Sequence, residues 1–403
     1  MTTEALSLRV ACAQARYDWQ ADVSALAGRF TRFLNAGVFA PGASLVGEDR
    51  LALPCALPPR ETAAGGAARP FAGGVFFPQA LEAREPVPAM GLPPAPDALT
   101  FQPLRVGEGC AVGFIDLAAH LRPGTTHPHV DYARLRRTVH TAVHFLDNCI
   151  DVADYPSEAC SRACRASRKL ALGAFGLAEM LADVGVAYDS DAGRALAVKV
   201  FSFLTGEARA ASRALAGLRG PFPLFADSRL ADGAPVRNAM VTGLAPCAAE
   251  ACTHGRTPGI EPKAGSGVSL EARLRMQAAV AAHVDGTAAL PLCPVGGEAA
   301  RDLCVQACRL GCTLVQLCGE EDDGSAPLCP ADEPLPEAAF PQGDSGRAAP
   351  VPEETAQALP PDLPPPGEDE DEEALPIRYC PRCGRPVQQE PGGPRCPACG
   401  PLL

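Results

Sequence analysis

The residues with the most obvious chemical potential are two C-x2-C pairs, Cys380/Cys383 and Cys396/Cys399, separated by twelve residues. Four thiolates at that spacing can close a tetrahedral zinc site, with each pair turning the chain back on the metal. A proline follows the first cysteine of each pair and a glycine the second, residues that suit tight turns. Two dithiols that cycle with disulfides are the other chemistry open to C-x2-C. Three histidines lie close together in "HLRPGTTHPHVDY" (His120, His127, His129), and His140 and His144 are spaced i,i+4. The first three fall in a Pro/Gly stretch without a carboxylate at ligand spacing and read as exposed loop histidines. The helical pair lacks an acidic partner in sequence and reads as packed or half-exposed. Cys160/Cys164 and Cys304/Cys308/Cys312 recur every four residues, the pattern of apolar filling on a helix.

Elements must position these groups. The 403 residues are enough for two or three domains. No apolar run reaches eighteen residues, so no membrane helix is expected. The first residues, "MTTEALSLRVACAQARYDW", carry charges where a signal peptide would be apolar. A cytoplasmic location follows, and eighteen cysteines then point to metal, redox chemistry or core filling rather than to a disulfide scaffold. Of the net charge of −12, residues 320–376 hold seventeen acids against one base, so the rest of the chain is mildly basic. That suits phosphorylated ligands but falls short of a nucleic-acid surface.

Helical periodicity predicts a helix over residues 4–37, a strong one over 132–152, and one that Ser157 caps and that runs towards Leu170. "LGAFGLAEMLADVGV" is expected to continue as helix to a stop at Gly185, with further helices over 190–217, from Ser269 to His283, and over 297–310. Residues 110–121 read as strand or turn, and "CTLVQLC" (Cys312–Cys318) as a buried strand. Thirteen prolines and the "EDEDEE" run over 320–376 predict a disordered, extended tether.

Two blocks carry a family resemblance. "AVHFLDNCIDVADYP" with "SRKLALGAFGLAEMLADVGVAYDS", and "TPGIEP" with "LRMQAAVAAHVDGTAALPLCP" and "RLGCTLVQL", occur in an order that resembles the large chain of ribonucleotide reductases, most of all the adenosylcobalamin-dependent class. "FTRFLNAGVFAPGASLVG", "ALPCALPP" and "FAGGVFF" are similar to earlier parts of the same chain. The resemblance implies a reduced or incomplete α/β barrel of the reductase type with a large helical part, followed by a small zinc ribbon. The expected division is 1–90 for the N-terminal helices and the approach to the barrel, 91–319 for the reductase-like body, 320–376 for the tether and 377–403 for the ribbon.

In that family a thiyl radical abstracts a ribose hydrogen, two cysteines supply electrons, and an Asn and a Glu flank the radical cysteine, the Glu as general base. By resemblance Cys55 fits the first redox cysteine. Cys110 fits the second, standing before a strand that reads "NLGSINL" in the family. Counting back through "QPL", the family's Asn-Pro-Cys-Gly-Glu block falls on "DALTF": Asp97 replaces the Asn, Leu99 the radical Cys and Phe101 the Glu. Neither Leu nor Phe can carry a thiyl radical or accept a proton. The phosphate loop Pro-Thr-Gly becomes Pro246, Cys247 and Ala248. The block between the Gly-rich strand and "DALTF" is also missing, which removes several barrel strands.

The resemblance therefore implies a ribonucleoside-diphosphate reductase by family. It also implies a shortened, divergent member whose own turnover is doubtful. The alternatives are a non-catalytic partner or regulator of a full-length reductase, or a zinc-ribbon scaffold. Implied ligands are zinc in the tail, adenosylcobalamin by family and a ribonucleotide substrate. Implied partners are a full-length reductase or a second copy of the chain, with no nucleic acid and no membrane.

Overall fold

The computed structural model describes residues 2–45, 74–76, 84–87, 103–104, 107–124, 127–244, 251, 254–263, 265–286, 289–292, 306–307, 310, 314–317, 388–390, 393–396 and 400–401. The central layer is a sheet in the order β1 (Phe39–Leu45), β3 (Gly109–Asp116), β6 (Leu170–Phe175). β1 runs antiparallel to β3, and β3 parallel to β6. The segment 240–243 extends the sheet beyond β6. Leu170 and Leu172 donate to the carbonyls of Met240 and Val241, and Gly243 donates to Leu172. A second sheet joins β2 (Gly74–Phe76), β8 (Leu314–Leu317) and β7 (Ala289–Leu292), with β7 parallel to β8. β4 (Leu121–Arg122) pairs with β5 (His129–Val130), and the tail strands β9 (Gln388–Glu390), β10 (Gly393–Cys396) and β11 (Gly400–Pro401) form a three-stranded ribbon. Among the described residues no sheet closes on itself, so the expected α/β class holds while a closed barrel is not seen.

Every residue of β3 and β6 is buried, as expected for parallel strands covered on both faces. On one face Ala111, Ile115, Leu170, Leu172 and Ala174 join the main core with the helices. α1 (Thr3–Cys12), α2 (Val23–Asn35), α3 (Tyr132–Val152) and α6 (Asp191–Arg219) supply its other wall. α3 buries Leu135, Val139, Val143, Leu146 and Ile150, the stripe its sequence shows. Asp131 caps it by accepting from the Arg134 amide at 2.9 Å. Ser157 caps α4 (Glu158–Ser167) at 3.2 Å from the Cys160 amide, and Ser269 caps α7 (Leu270–Ala281).

Three expectations are corrected. Residues 4–37 form two helices rather than one, separated by a 3-10 turn at Ala13–Arg16 and by Asp22, which caps α2. "LGAF" is strand β6, and only Leu177–Val184 (α5) is helix, stopped at Gly185 as expected. A short apolar run cannot be assigned by periodicity alone, and burial on both sides decides for strand here. His120 is not an exposed loop residue. It is fully buried, with Nδ1 2.7 Å from the Asp116 carbonyl and Nε2 2.8 Å from Thr138 Oγ1. The proposed helix over 297–310 and the tether over 320–376 lie outside the described residues, apart from residues 306, 307 and 310.

Candidate active site region

The second face of the sheet is where Cys110 lies. Cys110, Val112 and Phe114 of β3 meet Ala171 and Phe175 of β6, together with Leu104 and Ala251, in a small apolar core. Phe114 and Phe175 are 4% and 0% exposed. A side-chain carbon placed on Gly173 would come within 3.2 Å of the Phe114 ring, so this ring lies across the glycine. The face is packed with hydrocarbon. Burial, followed by the neighbouring Cys164, pushes the Cys110 thiol well above its ordinary range.

The N-terminal edge of the two strands is polar and equally buried. Lys169, which precedes β6, is 0% exposed. Its Nζ donates to Glu85 Oε2 at 2.9 Å, to the Pro103 carbonyl at 2.6 Å and to Glu108 Oε2 at 3.2 Å. Ser167 donates to the other oxygen of Glu108. One ammonium thus draws together the residue before β3 and two segments that lie far away in sequence. Arg84 adds to this attachment by donating to the carbonyls of Ala281, Val284 and Gly286 at the end of α7.

Beside it sits a second buried ionic cluster. Asp147 of α3 accepts from Arg168 Nε at 2.9 Å, Arg219 Nη1 at 2.7 Å, Arg237 Nε at 3.4 Å and Asn238 Nδ2 at 2.9 Å. Asp151, one turn on, takes Arg168 Nη1 at 2.9 Å and the Tyr17 hydroxyl at 2.8 Å. Two guanidinium groups approach the Tyr17 ring, with Arg219 Cζ at 4.7 Å and Arg237 Cζ at 4.9 Å from its centre, a favourable cation–π arrangement. Burial alone would raise the Asp147 carboxyl, but Arg168, Arg237 and Arg219 together hold it well below the usual carboxylate range. Arg168 has φ 48°, the left-handed region, at the end of α4. Such a backbone in a non-glycine residue costs on the order of 1–3 kcal/mol, and here it ends the helix where the guanidinium meets both carboxylates.

At the opposite, C-terminal edge, Asp116 accepts from Arg256 Nε at 3.1 Å, and Glu179 accepts from the Thr257 amide at 3.2 Å and hydroxyl at 2.7 Å. The His254 ring lies 5.1 Å from Phe175.

Of the sequence-predicted site residues, only Cys110 has a described environment. Cys55, Asp97, Leu99, Phe101, Pro246, Cys247, Ala248, Cys380, Cys383 and Cys399 lie outside the described residues, as does the side chain of Cys396, whose backbone is in β10. No cluster of His, Cys, Asp and Glu that could hold a metal occurs among the described residues. His140 does have an acidic partner, Glu207 of α6 at 2.8 Å, which also takes Arg136 at 2.9 Å. His127 and His129 are exposed, as expected. Sequence reasoning missed the two ionic clusters. The available signals were Asp147 and Asp151, placed i,i+4 on an otherwise apolar helix face, and the charged "SRK" directly before an apolar strand.

Residues 106–273 match the family described as ribonucleotide reductase, barrel domain. That stretch is about two fifths of the chain, and over it the chain is similar to the ribonucleotide reductase family. The chain is 42% identical over 189 residues to a vitamin B12-dependent ribonucleoside-diphosphate reductase of Mycobacterium tuberculosis, a stretch covering 47% of this chain and 27% of that protein. It is 34% identical over 190 residues to the enzyme of the same name from Thermoplasma acidophilum, covering 47% of this chain and 24% of that protein. A vitamin B12-dependent ribonucleotide reductase of Streptomyces coelicolor matches over 118 residues at 33% identity, covering 29% of this chain and 12% of that protein. The chain thus matches about a quarter of the length of the first two relatives. β3 is the strand compared above with "NLGSINL". No helix among the described residues is long and apolar enough to cross a membrane.

Proposed function

We propose that this chain is a divergent reductase-type protein that does not itself convert ribonucleotides to deoxyribonucleotides and acts instead as a non-catalytic partner or regulator of a full-length reductase. The reading rests on the packed face around Cys110. A cysteine that serves ribonucleotide reduction must be reached by the ribonucleotide and then by a reductant from outside, and both need an open face above its thiol. Here the face is filled by Val112, Phe114, Phe175, Leu104 and Ala251. The register that sets Leu99 and Phe101 at the radical cysteine and general base supports the same reading from sequence.

The relatives are named for vitamin B12, and adenosylcobalamin comes to this chain through them. It would supply the radical in an active member. Among the described residues the buried cations Arg168, Lys169 and Arg219 are paired with Asp147, Asp151, Glu85 and Glu108. Zinc in the four tail cysteines remains part of the proposal on spacing alone, and makes the tail a docking or structural piece.

Titration of the purified chain with a ribonucleoside diphosphate, followed by calorimetry, tests the reading. No saturable heat is expected. Saturable binding that Phe114→Trp abolishes would overturn it, because it would place substrate on the face described as closed. Co-purification with a full-length reductase tests the partner role, and its absence would remove that role.

A further inference from the structure

Three cysteines converge on the start of β3. Cys110 is the second residue of the strand. Cys164, on α4, accepts a hydrogen bond from the Gly109 amide at 3.1 Å, and its sulfur lies 4.0 Å from the Gly107 carbonyl. Cys160 sits one turn earlier on α4, and its sulfur is 3.6 Å from where a side-chain carbon on Gly107 would be. Gly107 has φ 79°, a left-handed backbone that brings the chain into close contact with α4. The three sulfurs are graded in exposure: Cys160 is half-buried, while Cys164 and Cys110 are 3% and 1% exposed. All three are free thiols.

We propose that Cys160, Cys164 and Cys110 form a thiol relay that ends in a reversible Cys110–Cys164 disulfide, so that the partner of Cys110 within this body is Cys164. The oxidant is a low-molecular-weight disulfide. The Cys160 thiolate attacks it, forming a mixed disulfide and releasing one small thiol. The Cys164 thiolate then attacks the Cys160 sulfur and expels the second small thiol. Finally, the Cys110 thiolate attacks the Cys164 sulfur and returns Cys160 as thiol. Two protein thiols are oxidised, one external disulfide is reduced to two thiols, and the protons of Cys110 and Cys164 pass to those thiols or to water.

The surroundings fit slow, gated exchange. Burial pushes the Cys164 thiol up to about 12, against the lowering effect of the Gly109 amide. Each inner sulfur therefore attacks only through a small thiolate fraction, so both inner exchange steps are slow and depend on the close approach of the sulfurs rather than on acidity. Glu108, held by Lys169 and Ser167, lies next to the same residues and further disfavours thiolate at both inner sulfurs. The relay does not depend on whether the chain turns over ribonucleotides, so its failure and the failure of the proposed function are separate results.

The test uses the full reduced chain, incubated with oxidised glutathione, blocked by alkylation and mapped by mass spectrometry without reduction. The expected product is a peptide pair joined through Cys110 and Cys164. Cys160→Ser should slow its formation by about tenfold or more, because the exposed point of attack is gone. Cys164→Ala, with its folding checked by circular dichroism, should leave Cys110 alkylatable on unfolding. Cys110 found joined to Cys55, or glutathione found on Cys160 with Cys110 and Cys164 both still reduced, would overturn the proposal. The wild-type map decides between these outcomes even if a variant fails to fold.

Discussion

At the scale of single residues, the polar groups under the sheet hold segments together. Lys169 joins Glu85, Glu108 and the Pro103 carbonyl with no exposure to solvent. Removing one partner from a buried ion pair leaves the others uncompensated and typically costs about 3–5 kcal/mol. Lys169→Met should lower the free energy of unfolding in urea by that amount, and a loss under about 1 kcal/mol would show that the clamp is dispensable. His144 gives a pH signature. Its Nε2 lies 2.9 Å from Arg219 Nη2, and burial, then Arg219, pushes its pKa down to about 3. Unfolded histidine titrates near 6.5. Between those values the unfolded chain binds a proton that the folded chain refuses, so stability falls as pH falls. Urea titrations at pH 7 and pH 5 should differ by ~1–2 kcal/mol in the wild type. His144→Gln, which keeps an acceptor for Arg219, should reduce that difference, with His120 and His283, which burial also holds below the usual histidine range, carrying the remainder. Asp147 acts in a lower window. Its lowered pKa gives stability that is present above the ordinary carboxylate value of about 3.9 and lost as pH falls below it.

At the scale of elements, close packing between strand and helix fixes the geometry. Gly113 of β3 faces the Phe39 ring, which a side-chain carbon would overlap, and Leu146 Cδ1, which it would approach to 3.2 Å. Gly113→Ala should destabilise by about 1–3 kcal/mol through overpacking, read as a fall in the urea midpoint. An unchanged midpoint would mean that Phe39 and β1 move aside freely. The same scale shows what sequence could reveal. The stripe of α3 and the caps Ser157 and Ser269 were legible because an amphipathic helix and its cap are local features. β6 was not, because "LALGAF" is apolar on every side and joins a helix directly at Gly176, so no polar alternation marks it as strand. His120 was misread for a related reason: its two partners, Asp116 and Thr138, lie on either side of a loop that sequence shows only as Pro- and Gly-rich. The ionic clusters join residues up to 220 positions apart, as Tyr17 and Arg237 do. Such pairings follow from the fold and leave only a faint local trace, the paired aspartates on an apolar face.

At the scale of the whole molecule, family and chemistry separate. The blocks that carry the reductase resemblance also build the described core, and residues 106–273 match the family's barrel domain. Those residues were legible because packing holds them in a fixed order. The chemical residues were legible only as a register. Of them, Cys110 alone can be set in its surroundings, and it faces hydrocarbon. The proposal of a non-catalytic partner rests on that closed face and on the register of Leu99 and Phe101.

The most direct measurement is turnover by the purified chain, supplied with adenosylcobalamin, a dithiol reductant and a mixed ribonucleotide pool, with deoxyribonucleotide separated and quantified. The expected result is no product above a blank without protein, while a full-length reductase in the same mixture is active. Deoxyribonucleotide formed by the chain alone, and lost with Cys110→Ser, would contradict the proposal by showing that the face around Cys110 opens to substrate and that a residue other than Leu99 carries the radical.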